Sequence, residues 1–168
     1  MQKNPSDNKE LMKQIEKEIK NNAFGAFFGL IVGDALGAAV EFKARDTFEK
    51  LTDMRAGGPH GLDAGYWTDD SSMALCLAES LAEKAFNLED QLQRYIKWYK
   101  EGYLSSTGNC FDIGNITANS LENYEKNGEL PPARERAAGN GSLMRLAPVP
   151  IYYRNDFKEA VKYSGKSY

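Results

Sequence analysis

Histidine, cysteine and runs of basic residues are scarce in this sequence, and each scarcity excludes a class of function. The 168 residues contain one histidine, His60, and two cysteines, Cys76 and Cys110, that do not form a metal-spaced pair. The 21 basic residues form no tract and the net charge is −3, which argues against a nucleic-acid partner. No Ser–His–Asp or Cys–His nucleophile set assembles around His60, which we interpret as a surface residue of a glycine-rich loop.

The low cysteine count also bears on the compartment. Cys76 lies in an apolar segment and is interpreted as a small buried hydrophobic residue. A disulfide and a pair of reduced thiols are both compatible with the sequence, and the second, in a cytoplasmic protein, is the simpler interpretation. The polar N-terminus lacks the basic region and prompt apolar run of a signal peptide. A composition of 42% apolar and 27% charged residues predicts one globular domain.

One long apolar stretch does occur, at residues 23–40 (AFGAFFGLIVGDALGAAV), with a glycine at every fourth position from 25 to 37. Such a helix either crosses a membrane or packs tightly in a protein core. Against a span, Asp34 would cost roughly 2.5–3.5 kcal/mol within a bilayer, and basic residues flank both ends. We therefore predict a buried, closely packed helix and no membrane partner.

The remaining segments also predict helices. Residues 9–22 have an amphipathic spacing, and helices are expected after caps at Asn87, Asp112 and either Asn155 or Asp156. No strand-like alternation longer than four or five residues occurs, so the fold class is all-α. We predict an N-terminal amphipathic extension at 1–21 and a single domain at 22–168.

The segment GYWTDDSSMALCLAESL (65–81) sets two adjacent carboxylates before a small apolar helix. Thr68 or Asp69 would serve as a helix cap, which explains one carboxylate. The second, Asp70, and the neighbouring hydroxyls also suit a hard cation such as Mg²⁺, which prefers oxygen ligands. Both interpretations stay open at this point.

Two further groups carry weaker signals. Asp34 and Glu41 are seven residues apart on one helix face, and separately they are interpreted as a buried, amide-bonded acid and a solvated helix end. The segment GNGSLMR (139–145) has the small residues of an anion-binding turn, to which Arg145 would add charge, but taken alone it is better interpreted as a plain interhelical turn.

Four segments in this order resemble the ADP-ribosylglycohydrolase family, which includes the dinitrogenase-reductase-activating glycohydrolases. They are GLIVGDALGAAVEF, GYWTDDSSMALCLAESL, STGNCFDIGN and GNGSLMRLAPVP, and with their connections they cover roughly residues 22–168. The resemblance implies a compact all-α fold with two magnesium ions that removes ADP-ribose from a modified protein side chain or small molecule. It implies metal ligation by Thr68, Asp69, Asp70 and Glu41, with Asp69, Asp70 and Glu41 also taking part in catalysis. It places Asp112, Gly139, Asn140, Gly141 and Ser142 along the substrate.

The sequence departs from the family pattern in one respect. Family members are longer, and the resemblance implies a second acidic segment, Asp-x-Asp-Thr, which is not found in these 168 residues. The expected site is therefore incomplete, with a separate chain as one source of the missing half. The glycine-striped helix is then expected to lose a neighbour and expose an apolar face. A non-catalytic ADP-ribose-binding module is the alternative function.

Overall fold

The computed structural model describes residues 5–130 and 139–167. Within those ranges the chain is helical, as predicted, and its only extended pairing is one isolated bridge between Gly57 and Leu62. The helices are α1 (Pro5–Gly37), α2 (Asp69–Lys84), α3 (Leu88–Glu101), α4 (Asn115–Asn127), α5 (Gly141–Met144), α6 (Pro148–Tyr152) and α7 (Phe157–Ser164). A 3₁₀ turn, Ala38–Val40, extends α1.

The core forms around α2, which packs against α3 on one side and α6 on another. Small and apolar side chains spaced along α2 allow this close packing on several sides. The buried cluster consists of Met73, Cys76, Leu77, Leu81, Leu92, Tyr95, Trp98, Leu121 and Val149. Cys76 is buried, as predicted, and both cysteines are free thiols.

The predicted helix ends agree with the structure in most places. The Asn87 side chain accepts a hydrogen bond from the Asp90 amide, and the Asp156 side chain accepts one from the Glu159 amide, so both caps are confirmed. Gly128 ends α4 in the left-handed conformation. The predicted cap at Asp112 is wrong, because α4 begins at Asn115 and its N-cap is Gly114. Pro131 and Pro132, expected after α4, lie outside the described residues.

The predicted close packing of the glycine-striped helix is wrong for most of its length. α1 runs without a break through residues 21 and 22, and its buried residues, Ala35 and the adjoining Ala38, lie at its C-terminal end. By length and composition α1 could cross a membrane, and 17% of its most apolar window is buried. Core helices of soluble proteins pass the same test, so composition alone does not assign it to a bilayer. The exposed apolar face matches the second expectation, that this helix lacks a neighbour.

Candidate metal and substrate site

Asp34 joins α1 to the N-terminus of α2. Its Oδ1 accepts a hydrogen bond from Thr68 Oγ1 (2.8 Å), and its Oδ2 accepts from Ser71 N (3.0 Å) and Ser71 Oγ (2.6 Å). The Thr68 amide donates to both carboxylate oxygens, at 3.2 and 3.1 Å. Thr68 occupies the N-cap position of α2 without making a side-chain cap bond. The cap of α2 is thus supplied by α1, and Asp34 is the amide-bonded acid that the sequence suggested.

A short turn places His60 beside the end of α1. Gly57 and Leu62 exchange two backbone hydrogen bonds, which close the loop that carries His60. Gly58 has a φ of +74°, and a Cβ there would lie 2.4 Å from the carbonyl oxygen of Ala38, so only glycine fits. The imidazole packs against Phe111, with ring centroids 5.3 Å apart. His60 is therefore held between two loops, which corrects its interpretation as a surface residue.

The loop after α3 is tied to the residue that precedes Thr68. Trp67 Nε1 donates to the Leu104 carbonyl (3.3 Å), and Ser106 Oγ donates to the Trp67 carbonyl (2.6 Å). Further along this loop, Asp112 has a φ of +60°. That left-handed conformation, which aspartate tolerates, separates Asp112 from the helix it was expected to cap.

Glu41, His60 and Asp112 meet at one point. His60 Nε2 lies 3.1 Å from Asp112 Oδ1 and 3.4 Å from Glu41 Oε2. Neither contact is a hydrogen bond. His60 Nε2 and Glu41 Oε2 are both buried, and neither has a hydrogen-bond partner among the described residues. One ligand atom from each of the three residues lies within 4.8 Å of the other two.

Asp69 and Asp70 join these residues electrostatically. Burial, followed by the charge of Asp112, raises the pKa of Glu41 to about 7. Burial, followed by the charges of Asp112 and Asp70, raises the pKa of Asp69 to about 8. The pKa of Asp70 is also raised, by burial and then by Asp34. Glu41, Asp69 and Asp70 are thus harder to ionise because they are buried and because other carboxylates are near.

The donor set fits a hard divalent cation. Glu41, Asp69, Asp70 and Asp112 offer carboxylate oxygens in one acidic cluster, and the buried Glu41 Oε2 within it has no hydrogen-bond partner among the described residues. A cation would offset the burial and the repulsion that raise the pKa values of Glu41, Asp69 and Asp70. The Thr68 hydroxyl donates a hydrogen bond to Asp34, and its oxygen lone pairs stay available to a metal ion. Metal ligation by Thr68 therefore stays a prediction.

The second predicted substrate segment lies against the first turn of α4, since a Cβ on Gly139 would lie 3.5 Å from Ile116 Cδ1, four residues after Asp112. Gly139, Asn140 and Ser142 are exposed and Gly141 is half-buried, and α5 packs against α2. A Cβ on Gly141 would lie 2.9 Å from Thr117 Oγ1, so glycine permits the close approach to α4. No hydrogen bond among the described residues joins this segment to the four carboxylates. Its role along the substrate stays a prediction.

Arg145 does not add charge to that segment, contrary to the sequence hypothesis. It is 4% exposed, its Cζ lies 4.7 Å from the centre of the Tyr95 ring, and Nη1 is 3.8 Å from Met73 Sδ. The guanidinium therefore points into the core and holds the segment after α5 against α2 and α3.

Sequence reasoning missed His60, and it assigned Asp112 to the wrong local role. The signal for His60 was its position in a loop with several glycines, GGPHG, which permits tight turns. For Asp112, the preceding STGNC predicted a loop, but nothing in the sequence indicated a left-handed backbone.

Comparison with known proteins gives a consistent result. A family model described as ADP-ribosylglycohydrolase matches residues 16–167. The ADP-ribosylarginine hydrolase of Serratia proteamaculans is 44% identical over 147 residues, which are 85% of this chain and 40% of that protein. The ADP-ribosyl-[dinitrogen reductase] glycohydrolase of Rhodospirillum rubrum is 34% identical over 139 residues, 79% of this chain and 45% of that protein.

A solved structure titled "ADP-ribosylglycohydrolase-related protein complex" is similar in three dimensions. Its TM-score is 0.74 at 42% sequence identity, over 90% of this chain and 50% of that chain. The chain thus spans less than half the length of the two curated relatives named above and half of the solved one.

Proposed function

This chain belongs to the ADP-ribosylglycohydrolase family, and from that premise we propose that it supplies one half of a magnesium-dependent site that hydrolyses the bond between ADP-ribose and its acceptor. The acceptor is a modified protein side chain or a small molecule. The observation that supports this most directly is that Glu41, Asp69, Asp70 and Asp112 lie close together, since the charge of Asp112 contributes to the raised pKa values of the other three.

The residues take distinct parts in the proposed reaction. Asp69, Asp70, Thr68 and Glu41 would hold two magnesium ions, which when bound offset the charge of the carboxylates and polarise hydroxyl groups and water. Glycoside cleavage builds positive character at the ribose carbon, and a positioned carboxylate removes the proton of the attacking water. We assign that step to Glu41, whose Oε2 has no hydrogen-bond partner among the described residues.

The substrate contacts are proposed in two segments of the chain. Asp112 lies beside Glu41 and His60 and would contact the ribose of the substrate. Gly139, Asn140, Gly141 and Ser142 would lie along the rest of the ADP-ribose, where exposed backbone amides serve as donors. A reduced, cytoplasmic setting is part of the same proposal, and it accords with two free thiols.

A hydrolysis assay on ADP-ribosylarginine with Mg²⁺ tests the proposal. We expect little turnover by this chain alone, because the resemblance implies a second acidic segment that these residues do not contain. Robust turnover would refute the claim that the site is half supplied.

Calorimetry separates this proposal from its alternative, a non-catalytic ADP-ribose-binding module. We expect Mg²⁺ to bind the wild type and the control Asp63→Asn, at an exposed acid, and to bind Asp69→Asn at least tenfold more weakly. Tight binding of ADP-ribose without Mg²⁺ and without turnover would favour the binding module.

A further inference from the structure

The α1 helix is apolar on two opposite sides, and the described chain covers one of them. Phe27, Leu30 and Asp34, three or four residues apart, are half-buried on the side that faces α2. On the other side Phe28 and Val32 are 54% and 50% exposed. A helix that is apolar all round is normally enclosed by other protein or by lipid.

Exposed hydrophobic residues are concentrated on this helix. Seven of the fifteen exposed large hydrophobic residues in the described ranges lie on α1. Between them, a Cβ added at Gly25, Gly29 or Gly33 would meet no described atom within 4 Å. The absence of side chains at these three positions has no packing reason within the described chain.

The extent of the structural match indicates what covers this face. The open face lies within residues 16–167, the part that the family model matches. The solved relative superposes on 90% of this chain, yet that accounts for only 50% of the relative. We expect the other half of that chain to pack against the matched half, and α1 offers the largest group of exposed apolar side chains among the described helices.

We propose that the open face of α1, defined by Gly25, Phe28, Gly29, Val32 and Gly33, docks an apolar helix from the half of the ADP-ribosylglycohydrolase fold that has no counterpart in these 168 residues. The glycines permit close approach of the partner backbone, while Phe28 and Val32 supply the buried apolar area. The proposal rests on family membership and is independent of the magnesium chemistry.

The location of the face supports a protein partner in preference to lipid. Asp34 follows directly after Gly33, and its carboxylate is held by four donors at the start of α2. Inserting this helix into a bilayer would break those bonds and bury the acid in hydrocarbon. The same helix leads through the 3₁₀ turn to Glu41, which follows eight residues after the end of the face at Gly33.

Co-expression with the unmatched part of the Serratia proteamaculans hydrolase tests the docking. The variant is Gly29→Leu, which fills the open face, and the matched control is Lys13→Leu, which adds the same side chain at an exposed position before the matched residues. By affinity purification and light scattering, we expect a 1:1 complex for the wild type and the control, and at least a tenfold loss for Gly29→Leu. The thermal unfolding of isolated Gly29→Leu should match that of the wild type, because nothing lies within 4 Å.

Each other outcome overturns the proposal. No complex with the wild type, or an equal complex with Gly29→Leu, would exclude this face as the docking site. A homodimer of the chain that Gly29→Leu abolishes would assign the face to a second copy. Binding to phosphatidylcholine vesicles that Gly29→Leu leaves intact would assign it to lipid. The complex should survive Asp69→Asn, so failure of docking is distinguishable from failure of the metal proposal.

Discussion

Carboxylates within this site are held in two different ways. Asp34 is one case, and the acidic cluster of Glu41, Asp69, Asp70 and Asp112 is the other. Asp34 faces four donors from Thr68 and Ser71, two amides and two hydroxyls. The carboxylates of the cluster lie near one another, and burial together with their repulsion raises the pKa values of Glu41, Asp69 and Asp70. An acid whose hydrogen-bond donors all belong to the chain stabilises the fold, whereas buried acids without such donors are candidates for binding a ligand.

The largest expected effect is at Asp34. Asp34→Ala leaves donors of Thr68 and Ser71 unpaired, and these residues are 3% and 0% exposed. We expect the free energy of unfolding to fall by about 3 kcal/mol, since buried polar groups without partners cost about 1–3 kcal/mol each. Urea unfolding measures this, with the exposed acid in Asp63→Ala as the control. A loss equal to that of the control would show that Asp34 is not a structural anchor.

Mg²⁺ should stabilise the fold through the acidic cluster, which includes Asp69. At a Mg²⁺ concentration of 100 times Kd, the wild type should gain about 2.7 kcal/mol of unfolding free energy over the same protein in EDTA. Asp69→Asn should lose this gain because it removes a ligand oxygen charge, and Asp63→Asn should keep it. Thermal scans in both buffers provide the measurement. An equal gain in Asp69→Asn would mean that the cation binds elsewhere.

The pH dependence of the cation-free protein is expected to be smaller. The folded pKa of Asp69, about 8, lies above its ordinary value near 4, so its contribution to stability is full below pH 4 and is lost as pH rises to 8. Asp69→Asn should therefore be more stable than the wild type at pH 8 by about 1–2 kcal/mol, and the difference should shrink toward pH 4. Urea unfolding across this range in EDTA is the test. A larger advantage of the variant at pH 4 would reverse the assigned direction.

The smallest expected effect is at His60. His60→Ala removes a side chain without a hydrogen-bond partner among the described residues, so the free energy of unfolding should change by about 0.5 kcal/mol or less. Calorimetry on the same variant should show weaker Mg²⁺ binding, because Nε2 lies between Glu41 and Asp112. A large loss of stability with unchanged binding would place His60 with Asp34 as a structural residue.

Local signals in the sequence were sufficient for the helices and for some caps. The amide-bonded role of Asp34 and the caps at Asn87 and Asp156 follow from side chains that accept from nearby backbone donors, and the structure confirms them. The four motifs also identified the family, because their order along the chain is far more specific than any one of them.

Long-range pairing was beyond the sequence. His60 meets Glu41 and Asp112 only because Gly58 lets its loop approach the Ala38 carbonyl and because Asp112 adopts a left-handed backbone. Periodicity and capping rules describe neighbours within a turn or two, so they gave Asp112 a cap role and His60 none. The open face of α1 was misjudged for a related reason. Apolar composition predicts that a helix is buried, but it does not predict which segment packs against it.

The hydrogen bonds of Asp34 connect the open face of α1 to the acidic cluster. The helix that presents the apolar face also fixes, through one carboxylate, the first turn of the helix that carries Asp69 and Asp70. Whatever tilts that helix moves the two aspartates with it. By thermodynamic reciprocity, a cation that tightens the association of the two halves must itself be held more tightly, and by the same factor, once they are joined.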